Sequence, residues 1–221
     1  MTTNRDKREM LREKKQAQKR RSIYTLVLII IGVIVIFGSA ALLPKIFAKP
    51  PNYETNQGFT VGDPNAPVTV IAFSNYTCGY CKLFSETMEK DFITDYVETG
   101  KVFYQYVNLP NNNELSLNAA EASHCAADQN KFFEYKSLLY TYASASDGFS
   151  VENLSKYTRL AGLDRTAFDN CMSEDKYAQA YLEDREYAQS AGIRATPTFL
   201  VNGQLVTSSE LIQTVEAILA D

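Results

Sequence analysis

The 221-residue sequence has no tryptophan, one histidine and four cysteines. It also has no phosphate-binding loop, no carboxylate dyad and no Ser-His-Asp arrangement, which removes the usual grounds for nucleotide, glycosidase or serine-hydrolase chemistry. There are no internal repeats, and no low-complexity tract beyond a basic tail. The lone histidine, His124, adjoins Cys125. A four-ligand zinc site with Cys78 and Cys81 would need these residues, but the two pairs do not have zinc-ribbon spacing, so no metal is expected. The core must therefore rest on 14 tyrosines, 12 phenylalanines and aliphatic residues.

Charge is unevenly placed. Residues 1–21 hold nine Lys or Arg against three acids, a net +6, while the remainder is net −10. A basic tail without aromatic interleaving is a topology signal rather than a nucleic-acid arm, so no nucleic acid is expected. It abuts Ile23–Leu43, 21 residues without a charge, long enough to cross a hydrocarbon core of ~30 Å. Residues 1–22 are then a cytoplasmic tail and 23–43 a single transmembrane anchor, with the body outside. A cleaved signal peptide is the alternative, with cleavage points at Gly38-Ser39-Ala40-Ala41 or Ala48. Residues 44–59, with Pro44, Pro50, Pro51 and Gly58, have linker composition. Residues 60–221 are enough for one compact domain. All four cysteines lie in that body, in a compartment that permits disulfides.

Within the body, Val68–Ser74 reads as a strand, and Cys78-Gly79-Tyr80-Cys81 opens a helical pattern reaching Val97 with Leu83, Phe84, Met88, Phe92 and Tyr96 on its face. Lys101–Val107 alternates as a second strand, giving β-α-β. From about 111 to 191 every pattern is helical: an alanine-lined face with Ala119, Ala122 and Ala126; a loop at 144–150; a helix closed by Gly162; another capped by Asp164; and a last one ended by Gly192. Ala195–Val201 returns to strand, Asn202-Gly203 makes a hairpin turn, and Ser208 or Ser209 caps a terminal helix. Pro197 belongs at a strand start, where a cis bond is one way to place it.

Two cysteines separated by two residues at a strand-to-helix junction have the form of a thioredoxin-like dithiol. Cys78 would sit at a helix N-terminus, where free N–H groups favour a thiolate, the species that attacks disulfides. Cys125 and Cys171 are either a staple between helices, separate buried thiols or a second redox relay. Tyr76, Tyr80 and Phe199 either line an apolar substrate groove or simply pack.

The order of strand, Cys-x-x-Cys, helix, strand, helical insertion, Thr-Pro, hairpin and helix resembles the disulfide-bond protein A (DsbA) type of thioredoxin-like oxidoreductase. So do Gly62-Asp63-Pro64, Gln129-Asn130-Lys131-Phe132-Phe133, Gly162-Leu163-Asp164 and Thr196-Pro197-Thr198-Phe199 with Asn202-Gly203. The resemblance covers about Thr60 to Asp221. It implies an α/β thioredoxin-like fold with a helical insertion at about 111–191. It also implies an enzyme that forms disulfides in exported proteins bearing free thiols, with no cofactor beyond its own Cys78–Cys81 disulfide and a membrane partner that reoxidises it. By the same resemblance Cys78 is the nucleophile, Cys81 the buried resolving thiol, Pro197 a cis-proline packed on the pair, and the Thr196 backbone a partner for the substrate chain. Gly79 and Tyr80 complete the motif. Two residues depart from the type. Ala72 stands where these proteins carry an acid, and Gly79-Tyr80 has no histidine, which implies a weaker oxidant. Gly-Tyr also occurs in disulfide isomerases of the DsbC type, although these need a dimerisation domain that residues 44–59 are too short to supply. A disulfide isomerase or reductase is therefore the alternative enzyme, and a metal-binding or thiol scaffold without turnover the alternative of another class.

Overall fold

The structure, a computed structural model, describes residues 59–220. The expected tail, membrane span and all but the last residue of the linker lie outside the described residues. Among the described residues, no helix is long and apolar enough to cross a membrane.

Five strands form one sheet in the order β1-β3-β2-β4-β5. They are β1 (Thr60–Val61), β2 (Val68–Ser74), β3 (Val102–Asn108), β4 (Thr198–Val201) and β5 (Gln204–Val206). β2 and β3 are parallel, with Val70 opposite Tyr104 and Ala72 opposite Tyr106; the other pairings are antiparallel. β2 is apolar along almost its whole length because both faces are covered. Val68, Val70 and Ala72 enter the main core, whereas Ile71 and Phe73 join Val107, Ala188, Ile193 and Leu200 on the other face.

β1 falls where only a turn-rich lead was expected. Gly62 follows it at φ +103°, and a Cβ there would lie 2.6 Å from the Val102 carbonyl oxygen. β4 begins at Thr198 rather than Ala195, since Pro197 has no N–H to give the ladder. Asn202 and Gly203 both have positive φ, as a tight two-residue hairpin turn requires. Phe59, assigned to the polar linker, is a core residue and packs on His124 and Phe132.

Helix α1 runs from Gly79 to Val97 as an α segment (Gly79–Phe84), a π turn (Ser85–Glu89), an α segment (Lys90–Phe92) and a second π turn (Ile93–Val97). A π turn inserts an extra residue and rotates the face that follows. Phe84, Phe92 and Val97 are buried as expected, but Leu83 is exposed and Glu89 is buried.

The helices α2 (Glu114–Ala127), α3 (Phe132–Tyr142), α4 (Val151–Ala161) and α5 (Arg165–Glu174) pack together as the insertion. Asn113, Ser150 and Asp164 cap α2, α4 and α5 through their side chains. α6 (Ala178–Ser190), counted with the insertion on its periodicity, instead returns to the sheet. Its Ala188 and Tyr187 cover Ile71 and Phe73. The terminal helix α7 (Leu211–Ala220) buries Leu211 and Val215. Its start is held by Thr207 and Glu210, not by a serine cap: the Thr207 N–H donates to the Glu210 carboxylate at 2.9 Å.

Candidate active site

The approach to the dithiol is set by Asn75, just past β2. Its Oδ1 accepts from the Thr77 N–H at 2.8 Å, the Thr77 hydroxyl at 2.8 Å and the Ser116 hydroxyl at 3.2 Å. The Asn75 carbonyl accepts from the Cys78 N–H at 3.0 Å. This turn delivers Cys78 in extended conformation at the N-cap of α1, where the first N–H groups of the helix have no intrahelical partner.

Cys78 is half-buried, and Gly79 and Tyr80 are exposed, Tyr80 to 76%. Cys81, one turn inside the helix, is 1% exposed. Both are free thiols in this structure. The Thr196–Pro197 peptide bond is cis, and both residues are partly buried. The Cys78 thiol donates to the Thr196 carbonyl oxygen at 3.3 Å, and Pro197 lines the crevice that holds Cys81. The Cys-x-x-Cys and Thr-Pro segments, distant in sequence, are therefore one site.

The two sulfurs are electrostatically unlike. Burial opposes charge on Cys78. The Thr196 side chain, the Cys81 thiol and the backbone N–H groups of Cys81 and Tyr80 outweigh it and hold the pKa below the ordinary 9.0. Burial pushes Cys81 up to about 11, against hydrogen bonds from Ser74, Thr196 and the Asn75 backbone. One thiol is thus accessible and primed to ionise, while the other is buried and held neutral.

Ala72 also lines the crevice behind Cys81, and a charge reaches the same space from elsewhere. Glu89, turned inward by the first π turn, pairs with Lys136 of α3, both nearly fully buried. Glu89 also accepts from Tyr104 and Ser85, each at 2.8 Å. The Lys136 ammonium lies 5.0 Å from the Tyr106 ring centre and 5.6 Å from that of Tyr140. Sequence reasoning missed Ser74, Asn75, Glu89 and Lys136. Ser74, Glu89 and Lys136 sit in segments whose apolar period marks a face but not a partner, Asn75 lies in the turn between β2 and α1 where no period runs, and only a charge inside such a pattern (Lys136 within Phe132–Tyr142) hints at the pair.

Tyr76 and Phe199 are 1% and 0% exposed and pack in the core, Phe199 against the crevice that holds Cys81; of the three only Tyr80 faces solvent. Cys125 and Cys171 are joined, tying α2 to α5. Glu121 lies beside this disulfide, whose sulfurs, bonded to each other, are not thiolate ligands. Cys125 is likewise no ligand partner for Cys78 and Cys81. His124 stacks on Tyr177 and meets Phe59 at a tilt, at 4.7 and 4.6 Å between ring centres.

Fold and site together define a thioredoxin-like protein with a dithiol at a helix start. The family model described as thioredoxin matches residues 54–221, and the chain belongs to that family. Its fold is that of the DsbA-type members. Crystal structures of oxidised BdbD from Bacillus subtilis (TM-score 0.68, 23% identity, 75% of this chain and 95% of that one) and of Chlamydia trachomatis DsbA (TM-score 0.65, 22% identity, 73% and 91%) superpose on it. In sequence it is 26% identical to disulfide bond formation protein D of Bacillus subtilis, over 71% of this chain and 74% of that protein. It is also 29% identical to Na(+)/H(+) antiporter NhaA 3 of Salinispora tropica over 65% of this chain. The chain spans about a fifth of that antiporter's length (21%).

Proposed function

We propose that this chain is an extracytoplasmic thiol-disulfide oxidoreductase that forms disulfides in exported proteins. One observation carries the reading: a half-buried Cys78 at the start of α1, its sulfur 3.3 Å from the Thr196 carbonyl, with Cys81 buried behind it. A substrate thiolate attacks the Cys78 sulfur of the oxidised pair, and a second substrate thiol resolves the mixed disulfide, leaving both cysteines reduced. The Thr196 backbone offers an extended substrate a strand-like partner. The apolar segment 23–43 anchors the chain with its basic tail in the cytoplasm, and a membrane protein reoxidises the dithiol. The name of disulfide bond formation protein D supports the direction of transfer.

Equilibration with glutathione buffers tests that direction. A potential well above that of thioredoxin is expected, and one near −270 mV, about the thioredoxin value, rejects the oxidase reading. Cys78→Ser abolishes exchange if the assignment is right. The Gly79-Tyr80 dipeptide favours a disulfide isomerase, with reductase, as the second reading, and refolding of a scrambled substrate separates isomerase from oxidase.

A further inference from the structure

Behind Cys81 three buried hydroxyls form a row. The Tyr106 and Tyr140 hydroxyl oxygens are 2.7 Å apart, and Tyr140 is 2.8 Å from the Ser74 hydroxyl. Ser74 and Cys81 line the same crevice. The Lys136 ammonium faces both tyrosine rings, held there by Glu89, which lines the same crevice.

We infer that Ser74, aligned by Tyr140 and Tyr106 beside the Lys136–Glu89 pair, donates a hydrogen bond that receives the Cys81 sulfur as it leaves the active-site disulfide. The inference rests on the disulfide-exchange reading above. The chemistry calls for donors at this sulfur, and Ser74 joins Thr196 and the Asn75 backbone there. A substrate thiolate forms a bond to the Cys78 sulfur, the Cys78–Cys81 bond breaks, and its electron pair goes to Cys81. That sulfur is buried where a bare thiolate is costly, and position 72 offers no acid. The resulting thiolate then takes one proton from water.

The row suits this task because either oxygen of each contact can be the donor. With all three hydroxyls aimed one way, Ser74 donates to the sulfur and accepts from Tyr140, which accepts from Tyr106. When Cys81 is a thiol the row reverses, with rotation of hydrogens alone. Burial raises both phenols well above their ordinary pKa, so they stay protonated as donors. The Lys136 cation, paired with Glu89, lies against both rings and holds them in place. Ser74 is the contact residue; Tyr140, Tyr106 and Lys136 act through it as positioning residues.

The test is single-turnover reduction of the oxidised full-length chain by excess dithiothreitol, followed by thiolate absorbance. Ser74→Ala and Tyr140→Phe are each expected to slow reduction about tenfold, the scale of one lost charge-assisted hydrogen bond. Tyr106→Phe costs less, and Ser74→Thr, which keeps the hydroxyl, restores the rate. The Cys78 titration midpoint stays at its wild-type value, while the Cys81 midpoint, read in Cys78→Ser, rises in Ser74→Ala. Wild-type rates in folded Ser74→Ala or Tyr140→Phe overturn the inference, as does a parallel shift of the Cys78 titration, which marks a packing role. Failure of the wild-type chain itself to exchange with dithiothreitol refutes the oxidoreductase reading instead.

Discussion

Glu89 and Lys136 are an ion pair inside the core, contributed by α1 and by α3 of the insertion, directly behind the active-site dithiol. The pair ties the helix that carries Cys78 and Cys81 to the helical insertion, so its energetics bear on both. Removing one partner of a buried pair strands a charge. Lys136→Met is expected to destabilise by about 3–5 kcal/mol, and Glu89→Leu with Lys136→Met together to recover most of that loss. Urea unfolding midpoints decide it: equal losses in the single and double variants would show that the pair is not the source.

The two active-site thiols should titrate apart. Cys78, held below 9.0, alkylates at a rate that rises with pH and levels off below that value, because only its thiolate reacts. Cys81, pushed up to about 11 and buried, stays unmodified in the native dithiol across the same range. Mass spectrometry of the iodoacetamide-treated chain after digestion checks both; early label on Cys81 would contradict the assignment.

Breaking the second disulfide should cost stability and leave exchange intact. Cys125 and Cys171 are 46 positions apart and bind α2 to α5, neither of which lines the crevice at Cys81. The chain-entropy model gives a loss of roughly 4 kcal/mol for Cys125→Ser with Cys171→Ser. Thermal unfolding measures it, and an undiminished exchange rate in the folded variant is expected.

Two neighbours in the insertion oppose each other in acid. Burial lowers His124 to about 4 against an ordinary 6.5, so the unfolded chain takes up a proton that the folded one refuses. Its contribution is fully present above pH 6.5 and is lost as pH falls toward 4, a total of roughly 3 kcal/mol. Burial raises Glu121 to about 7 against 4.5, countered by N–H groups of Tyr177 and Lys176. Its contribution is present below pH 4.5 and is lost as pH rises through 7. Stability therefore has a shallow slope between pH 4.5 and 6.5 in the native chain. His124→Phe makes it rise toward acid and Glu121→Gln makes it fall. Urea titrations at pH 5 and pH 7 read the sign; matching slopes in both variants would refute the account.

Much of this protein is local, and local features are legible in one dimension. The strand at Val68–Ser74, the Cys78–Cys81 helix start, the caps at Asp164 and Gly162 and the Asn202-Gly203 turn follow from periodicity, free helix-end N–H groups and positive φ. By itself the sequence determined a β-α-β frame with a dithiol at a helix start, a helical insertion and a Thr-Pro segment before the last hairpin.

Only the tertiary structure decided what stands behind Cys81. A period says which face of an element is buried, not which distant residue meets it. Ser74 meets Tyr140 across 66 positions, Tyr140 meets Tyr106 across 34, and Glu89 meets Lys136 across 47. The π turn that carries Glu89 inward has no counterpart in a 3.6-residue pattern, so a charge that reads as solvated became part of the core. The same reason separates α6 from the insertion: its periodicity says helix, and only the apolar face offered by Ile71 and Phe73 determines that it covers the sheet.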